Sequence, residues 1–322
     1  MQKAPPTPKG FRDITPNLAK KRRDVINKIV EVLEEFEFVP IETPTIEFAQ
    51  TLKGKYGEEE KLIYQFKDRG GRELALRFDL TVPLARFVAS NPNLKMPFSR
   101  YQVGQVFRGE NPQHGRYREF TQLDFDTVGF NQDSLKYDAQ IILATLKASQ
   151  KIGLVGAKIF INHRSVFDNI PQNVTRAIDK IYKVGKEGVI KELESDYPQE
   201  KVEEYLVQVG SNLQNQLKDP GSDLAKILKI FKEEKDYQSL GDDLVADANL
   251  ARGLDYYTGT IFELKPSNNP LDLSIGAGGR YDNLIRSFVH PAKGGKTNLP
   301  AGRQVPAVGF SFGLDRLIEA LP

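Results

Sequence analysis

Three polar residues, Gln122, Asp124 and Asp126, occupy every second position in a segment otherwise made of good strand formers. Alternate residues of a strand point to the same face, so these side chains project together while Leu123 and Phe125 can face a core. Two carboxylates and an amide on one face would suit a cationic ligand. A solvent-exposed face is the alternative, because antiparallel sheets often leave one side in water.

A polar loop next to this segment is surrounded by arginines. Arg108 ends an earlier strand-like stretch, and the loop of residues 109–117 contains Glu110, His114 and Arg116, with Arg118 directly after it. The planar guanidinium makes bidentate, charge-assisted bonds to phosphate and stays ionised. Several cations beside an acidic sheet face therefore favour a nucleotide phosphate next to a cationic substrate, with surface Arg–Glu pairing as the alternative.

An arginine directly before a glycine introduces a pair of tyrosines in residues 252–257. Gly253 permits a close approach of the backbone, and Arg252 can meet an anion there. Tyr256 and Tyr257 enter a predicted strand, where one packed and one partly exposed tyrosine is the structural alternative.

Arg316 lies in the first turn of a predicted helix, where the helix dipole disfavours a cation. An anionic ligand would offset that cost, and the preceding Gly309 and Gly313 weaken a strand unless something approaches it closely. An ion pair with Asp315 or Glu319 is the alternative. The sequence has no Walker-type phosphate loop and no dinucleotide fingerprint, so any ATP would be held by arginines on an antiparallel sheet.

The composition is that of an ordinary globular protein, with 322 residues, 39% hydrophobic and 27% charged residues and a net charge of +2. Zero cysteines exclude disulfides, thiolate catalysis and cysteine-ligated metals, and three widely spaced histidines argue against a histidine-based metal site. The sequence contains no apolar run of membrane-spanning length and no signal-peptide pattern. These features favour a cytoplasmic protein.

Hydrophobic periodicity places the polar segments on a mixture of helices and strands. An amphipathic helix is predicted over 16–37, followed by an edge strand over 38–41 that contains Pro40. Further strands are predicted at 74–78, 98–108, 118–129, 157–162, 256–264, 271–275 and 307–312, further helices at 80–89, 134–150 and from 314, a tight turn at 276–279 and a loop at 290–304. Hairpin-linked strands with surrounding helices predict an α+β fold, with a mostly antiparallel sheet flanked by helices.

Residues 166–246 differ from the rest of the chain. They are rich in Lys, Glu, Asp and Gln and show helical periodicity with little β-branching. This composition predicts a small helical insertion whose charged faces are solvated helix surface.

Several motifs, in order along the chain, resemble those of the histidyl-tRNA synthetases, a family of class II aminoacyl-tRNA synthetases. Residues 38–44 resemble motif 1, residues 107–120 motif 2 and residues 309–317 motif 3. The segments 252–259 and 278–284 resemble the two histidine-specific signatures, and 9–13 and 77–81 also fit the family. The resemblance covers nearly the whole chain and implies the class II catalytic fold.

The resemblance implies a histidine site and an ATP site. The histidine-binding residues would be Asp79, Thr81 and Gln122 at the α-ammonium, Asp126 and Tyr257 at the imidazole, and Tyr256 and Tyr281 lining the pocket. Such a polar pocket discriminates strongly, because a wrong side chain leaves buried groups unpaired.

ATP would be held by arginines. Arg108 would hold the α-phosphate, with Glu110 and Arg116 helping, and Arg316 would lie beneath the adenine and near the γ-phosphate. Arg252 would reach the carboxylate and the α-phosphate, so Arg252 and Arg108 are the implied catalytic residues. Catalysis would rest on positioning and electrostatic stabilisation, with Mg²⁺ accompanying ATP.

The implied activity is histidine–tRNA ligation: histidine and ATP give histidyl-adenylate, and the acyl group then passes to tRNA(His). The implied organisation is a catalytic core over 1–165 and 247–322, the helical insertion over 166–246, and a homodimer formed through 16–48. The family continues after motif 3 into an anticodon-binding domain, which this sequence is expected to lack.

That expectation leaves a second function open. A synthetase-like paralogue serves as the regulatory subunit of ATP phosphoribosyltransferase in histidine biosynthesis, and it binds histidine without charging tRNA. Retention of Arg108, Arg116, Arg252 and Arg316 favours the ligase, because function depends on site residues rather than on the fold.

Overall fold

A long sheet and the helices that cover it carry the polar residues singled out above. The computed structural model describes residues 5–131, 134–154, 156–233, 235, 237–251, 256–266, 274–288 and 304–321. Its strands are β1 Val39–Pro40, β2 Ile46–Phe48, β3 Gln65–Lys67, β4 Glu73–Leu76, β5 Phe98–Phe107, β6 Glu119–Val128, β7 Lys158–His163, β8 Leu244–Ala246, β9 Thr260–Lys265, β10 Gly276–Arg280 and β11 Ala307–Gly313. Its α-helices are α1 Pro16–Glu35, α2 Ala49–Leu52, α3 Thr81–Ser90, α4 Lys136–Lys151, α5 Gln172–Ile178, α6 Ile181–Leu193, α7 Gln199–Lys218, α8 Asp223–Glu233 and α9 Leu314–Ala320.

In the described ranges, eight strands form the large sheet in the order β1-β5-β6-β11-β10-β9-β7-β8. The strands from β5 to β7 in that order pair antiparallel, and β1 and β8 add in parallel at the two edges. The predicted α+β fold with a mostly antiparallel sheet is therefore confirmed. Strands β2, β4 and β3 form a separate small sheet.

Helix α1 confirms the amphipathic pattern predicted over 16–37. Its buried residues, Val25, Ile29, Val32 and Leu33, recur at helical spacing, and α1 packs against α4. Directly after α1, the Phe38 ring meets the Phe125 ring edge-on at a centroid distance of 5.5 Å. Helices and aromatic rings therefore fill one face of β6 with apolar contacts and leave its polar residues on the other.

The tight turn predicted at 276–279 is wrong, because these residues form strand β10, paired on both sides with β9 and β11. A Cβ atom on Gly278 would lie 2.1 Å from the Gly309 carbonyl oxygen and 2.6 Å from the Phe262 ring. The Phe262 and Phe310 rings stack almost parallel beside it, at an interplanar angle of 7°. Glycine is required here by close packing inside a strand rather than by a reversal of the chain.

Helices α5 to α8 lie in the segment predicted to be a helical insertion, and its last residues form β8, which pairs with β7 of the large sheet. The division of the chain into a core and an insertion stays a prediction. Most of the predicted strand 271–275 and of the loop 290–304 lies outside the described residues. Within the described ranges, no helix is long and apolar enough to cross a membrane.

Candidate active site

The polar face of β6 forms the floor of the candidate site. Antiparallel pairing places Asp126 opposite Arg100 of β5 and opposite Gly309 of β11, and it places Asp124 opposite Gln102 and Ser311. Asp124 and Asp126 are 1% and 2% exposed. The solvent-exposed alternative for this face is therefore wrong, and the site lies on a buried, charged surface.

Small residues on β11 and β10 make room above this floor. A Cβ atom on Gly309 would lie 1.9 Å from the Asp126 Oδ1 atom. A Cβ atom on Gly279 would lie 2.7 Å from the Tyr257 ring. Both glycines therefore let a functional side chain lie directly against the sheet backbone.

Asp126 is the centre of a buried hydrogen-bonded group. The Tyr281 hydroxyl donates to its Oδ1 atom at 2.5 Å, and an Arg100 guanidinium nitrogen lies 2.6 Å from its Oδ2 atom. Burial raises the pKa of Asp126 and the Arg100 charge opposes that rise. Burial and the neighbouring Asp126 raise the pKa of Tyr281 well above its usual value, so its phenol keeps the proton that it donates.

Tyr256, Tyr257 and Tyr281, three of the predicted histidine-binding residues, lie close together beside the floor. The Tyr256 ring lies 4.9 Å from the Tyr257 ring and 6.1 Å from the Tyr281 ring, centroid to centroid. Burial raises the pKa of Tyr256, and the charges of Tyr257 and Asp79 add to the rise. The structure thus brings tyrosines from two separate segments of the chain next to the acidic floor.

Four buried oxygen atoms in the site accept no hydrogen bond from the described residues: Oδ2 of Asp79, Oε1 of Gln122, Oδ1 of Asp124 and Oδ2 of Asp126. The last of these lies in an ion pair with Arg100. The amide nitrogen of Gln122 donates to the Ser311 hydroxyl at 2.7 Å, which orients the amide and leaves its oxygen available. A buried acceptor without a partner costs free energy. An ammonium group, with three N–H donors, is the kind of ligand that such acceptors can bind.

Asp124 is the carboxyl group whose ionisation the site perturbs most visibly. Burial raises its pKa to about 7; the Arg100 charge opposes this shift, and the Asp126 and Asp79 charges reinforce it. Thr81, another predicted ammonium ligand, is partly buried in the first turn of α3, two residues after Asp79. The floor therefore carries more carboxyl groups than the single buried Arg100 guanidinium can pair, which favours the binding of a cation.

Arg108 connects this floor to the predicted phosphate-binding loop. Its Nε atom donates to the Phe78 carbonyl at 3.2 Å, and its guanidinium lies 4.4 Å from the Phe78 ring centroid and 5.2 Å from that of Phe120. In the loop, Arg116 and Glu110 are 3.6 Å apart and partly exposed. The arginine side chains therefore lie at the rim, next to the residues that precede α3.

Arg316 reaches the same loop from helix α9. Its Nε atom donates to the Gly115 carbonyl at 2.8 Å, and its Nη1 atom donates to the Ser274 carbonyl at 3.2 Å. The neighbouring Asp315 binds Arg12 and Arg22. The charge of Asp315 is thus engaged by the N-terminal segment, while Arg316 turns towards the loop that carries Arg116.

The structure adds residues that the sequence did not assign. Arg100 and Ser311 join the floor by strand register, and Tyr56 reaches Asp79 from a distant loop. Asp124, which alternation along β6 had placed on the same face as Gln122 and Asp126, lies on the floor with them. The predicted catalytic residue Arg252 lies outside the described residues.

A resident metal ion has no site in the part of the chain that the structure describes. No group of three or more His, Cys, Asp or Glu side chains is arranged there to hold one. Arg100 and Tyr281 bind Asp126, and Tyr56 binds one oxygen atom of Asp79. Their chemistry suits an organic cation better than a divalent ion, which prefers several converging oxygen ligands.

Comparison with known proteins agrees with this arrangement. The family model described as histidyl-tRNA synthetase matches residues 10–317. A histidine–tRNA ligase of Aeropyrum pernix is 41% identical over 98% of this chain and 74% of its own length. That of Treponema denticola is 38% identical over 97% of this chain and 72% of its own length.

Solved structures share the fold. A histidyl-tRNA synthetase from Nostoc sp. PCC 7120 superimposes with a TM-score of 0.71 at 29% identity, over 99% of this chain and 75% of that chain. A Bacillus halodurans protein described as an ATP phosphoribosyltransferase regulatory subunit/histidyl-tRNA synthetase gives a TM-score of 0.74 at 23% identity, over 98% and 83% of the two chains. That second likeness concerns the fold alone. On its match to the family model and its identity to these ligases, the chain belongs to the histidyl-tRNA synthetase family.

Proposed function

We propose that this chain is a histidine–tRNA ligase, which joins histidine to ATP as histidyl-adenylate and then transfers the acyl group to tRNA(His). The observation that carries the proposal is a buried acidic floor with unsatisfied acceptor atoms, directly beside an arginine-bearing loop. Histidine supplies the cationic donors that the floor needs, and ATP supplies the phosphates that the arginines need.

In this proposal, the two ends of histidine meet different parts of the floor. The α-ammonium binds Asp79, Thr81 and Gln122, and the Oδ2 atom of Asp79 and the Oε1 atom of Gln122 are available as acceptors. The imidazole binds Asp126 and Tyr257, and Tyr256 and Tyr281 enclose it. A substrate without a polar side chain would leave Asp126 and Tyr281 imperfectly paired in a buried site, which supports discrimination against it.

ATP lies along the rim. Arg108 holds the α-phosphate, Glu110 and Arg116 hold the nucleotide through the loop, and Arg316 lies beneath the adenine and near the γ-phosphate. Arg252 stabilises the charge that develops when the histidine carboxylate attacks the α-phosphorus. These side chains position the reactants and neutralise charge, and no covalent bond to the protein forms.

Mg²⁺ accompanies ATP in this proposal. The ion keeps several waters and is held mainly by phosphate oxygens, so a single accessible carboxylate suffices on the protein side. The Glu110 side chain is 26% exposed on the nucleotide-binding loop and fits that requirement. Because ATP and tRNA are its substrates, we place the enzyme in the cytoplasm.

A homodimer through residues 16–48 is part of the proposal. Val39, Ile46 and Phe48 are 47%, 45% and 51% exposed, an unusual exposure for large apolar side chains that lie close together in sequence. The change Phe48→Glu should shift the sedimentation coefficient from that of a dimer to that of a monomer. A wild type that sediments as a monomer would contradict this part of the proposal.

The ligase activity is tested by ATP–pyrophosphate exchange. The wild-type chain should catalyse exchange that requires L-histidine and is not supported by other amino acids. A folded chain that binds histidine but catalyses no exchange would contradict the proposal and would favour a histidine-sensing role.

A further inference from the structure

The carboxylate of Asp79 is held asymmetrically. Its Oδ1 atom accepts two hydrogen bonds, one from the Val82 backbone N–H at 2.9 Å and one from the Tyr56 hydroxyl at 3.0 Å. Its Oδ2 atom is buried and accepts none from the described residues. One oxygen is therefore fixed by the protein, and the other remains for a ligand.

Tyr56 comes from a part of the chain far from the floor in sequence. It precedes the 3₁₀ turn Gly57–Leu62 and is 1% exposed, with its ring 4.5 Å from the Phe78 ring. Burial, and next the charge of Asp79, raise the pKa of Tyr56 well above its usual value. Its hydroxyl therefore remains a hydrogen-bond donor throughout the physiological pH range.

A terminal carboxylate torsion is soft, because rotation about an sp³–sp² bond has broad minima. The Val82 N–H alone fixes one point of the group, and a second donor at the same oxygen restricts its rotation. The Tyr56 hydroxyl also favours the ionised form of Asp79, which burial disfavours. Both effects increase the affinity of the Oδ2 atom for a cation.

We propose that Tyr56 is a positioning residue for recognition of the amino group of the amino-acid substrate, which it orients through Asp79 without touching the substrate itself. The inference rests on the proposed function, because it takes Asp79 as the ligand of the histidine α-ammonium. Phe78 extends the arrangement to the nucleotide side, since its ring contacts both the Tyr56 ring and the Arg108 guanidinium.

Calorimetry with two probe ligands separates positioning from a structural role. Histidinol keeps the amino group and the imidazole, whereas imidazolepropionate keeps the imidazole and the carboxylate but lacks the amino group. The change Tyr56→Phe removes only the hydroxyl and should weaken histidinol binding about tenfold, as expected for a lost hydrogen bond to a charged group. Binding of imidazolepropionate should stay within about twofold of wild type, because this probe has no amino group for Asp79 to bind and the lost hydroxyl does not touch it.

Tyr101→Phe is the matched control. The Tyr101 hydroxyl also donates to a carboxylate, Glu34, at 2.8 Å, and this pair lies outside the candidate site. The control should leave the dissociation constants of both probes unchanged. In Tyr56→Phe, equal weakening of both probes, or unchanged binding of both, would overturn the inference. Absence of histidine-dependent exchange in the wild type would instead contradict the proposed function. A failure of the inference and a failure of the proposed function can therefore be distinguished.

Discussion

Replacing Gly309 by alanine should damage the histidine site although no side chain that is proposed to bind substrate is itself replaced. Gly309 lies opposite Asp126 in the sheet, and an added Cβ atom would lie 1.9 Å from the Asp126 Oδ1 atom and 2.4 Å from its Cγ atom. A carbon and an oxygen that do not bond to each other need about 3 Å or more, so the carboxylate must move by roughly 1 Å.

Such a movement cannot leave the Asp126 contacts intact. The 2.5 Å hydrogen bond from Tyr281 and the 2.6 Å contact with Arg100 both depend on the present position of the carboxylate. A misplacement of about 1 Å costs roughly 100-fold in catalytic efficiency, equivalent to about 2.7 kcal/mol. Overpacking should also lower the free energy of unfolding by about 1–3 kcal/mol.

The assay is ATP–pyrophosphate exchange at varied histidine and varied ATP concentrations. The loss should appear in kcat/KM for histidine, while the KM for ATP should stay close to wild type. Gly210→Ala is the matched control, because a Cβ atom on Gly210, within helix α7, meets no atom within 4 Å. That change should raise the free energy of unfolding by about 0.5–1 kcal/mol. If Gly309→Ala leaves kcat/KM for histidine within about twofold of wild type, the proposed role of Asp126 is refuted.

Three further predictions concern charged residues. Asp138→Asn breaks the buried ion pair with Arg280 and should lower the free energy of unfolding, measured by urea denaturation, by about 3 kcal/mol. A decrease of less than about 1 kcal/mol would contradict this prediction. Burial raises the pKa of Asp124 to about 7, above its value of about 4 in the unfolded chain. Between these two pH values the native state binds more protons than the unfolded chain, so the free energy of unfolding of the wild type should fall as the pH rises. Asp124→Asn should reduce the dependence of the free energy of unfolding on pH. Parallel pH profiles of this free energy for the variant and the wild type would contradict the raised pKa of Asp124. Arg108→Lys keeps the positive charge but loses the planar guanidinium group. The kcat for exchange should therefore drop roughly 100-fold, while the histidine affinity measured by calorimetry should stay within about threefold of wild type. An equal loss of kcat and of histidine affinity would place Arg108 at histidine instead.

The floor of the site shows what the sequence could and could not predict. The alternation of Gln122, Asp124 and Asp126 follows from the period of a strand, so their common face was predictable. Their burial was not, because it depends on β10 and β11, which lie roughly 150 and 190 residues further along the chain. Local pattern specifies which side chains share a face, and the tertiary packing decides whether that face meets water.

The prediction of a turn at 276–279 failed for a related reason. A run of small residues is locally typical of a turn, and only the packing of Phe262 and Phe310 against Gly278 requires glycine within a strand. No local sequence pattern indicates that Tyr56 contacts the site. It lies 23 residues before Asp79, and only the path of the intervening loop and small sheet brings its hydroxyl to that carboxylate.

Isolation of the adenylate tests the central claim most directly. The purified chain is incubated with labelled histidine, ATP and Mg²⁺, separated rapidly from free ligands, and the bound label is identified. We predict histidyl-adenylate bound in an amount stoichiometric with the protein, and almost none with Arg252→Ala. Bound histidine that is never converted to adenylate, with or without Arg252, would contradict the ligase and leave a protein that only binds histidine.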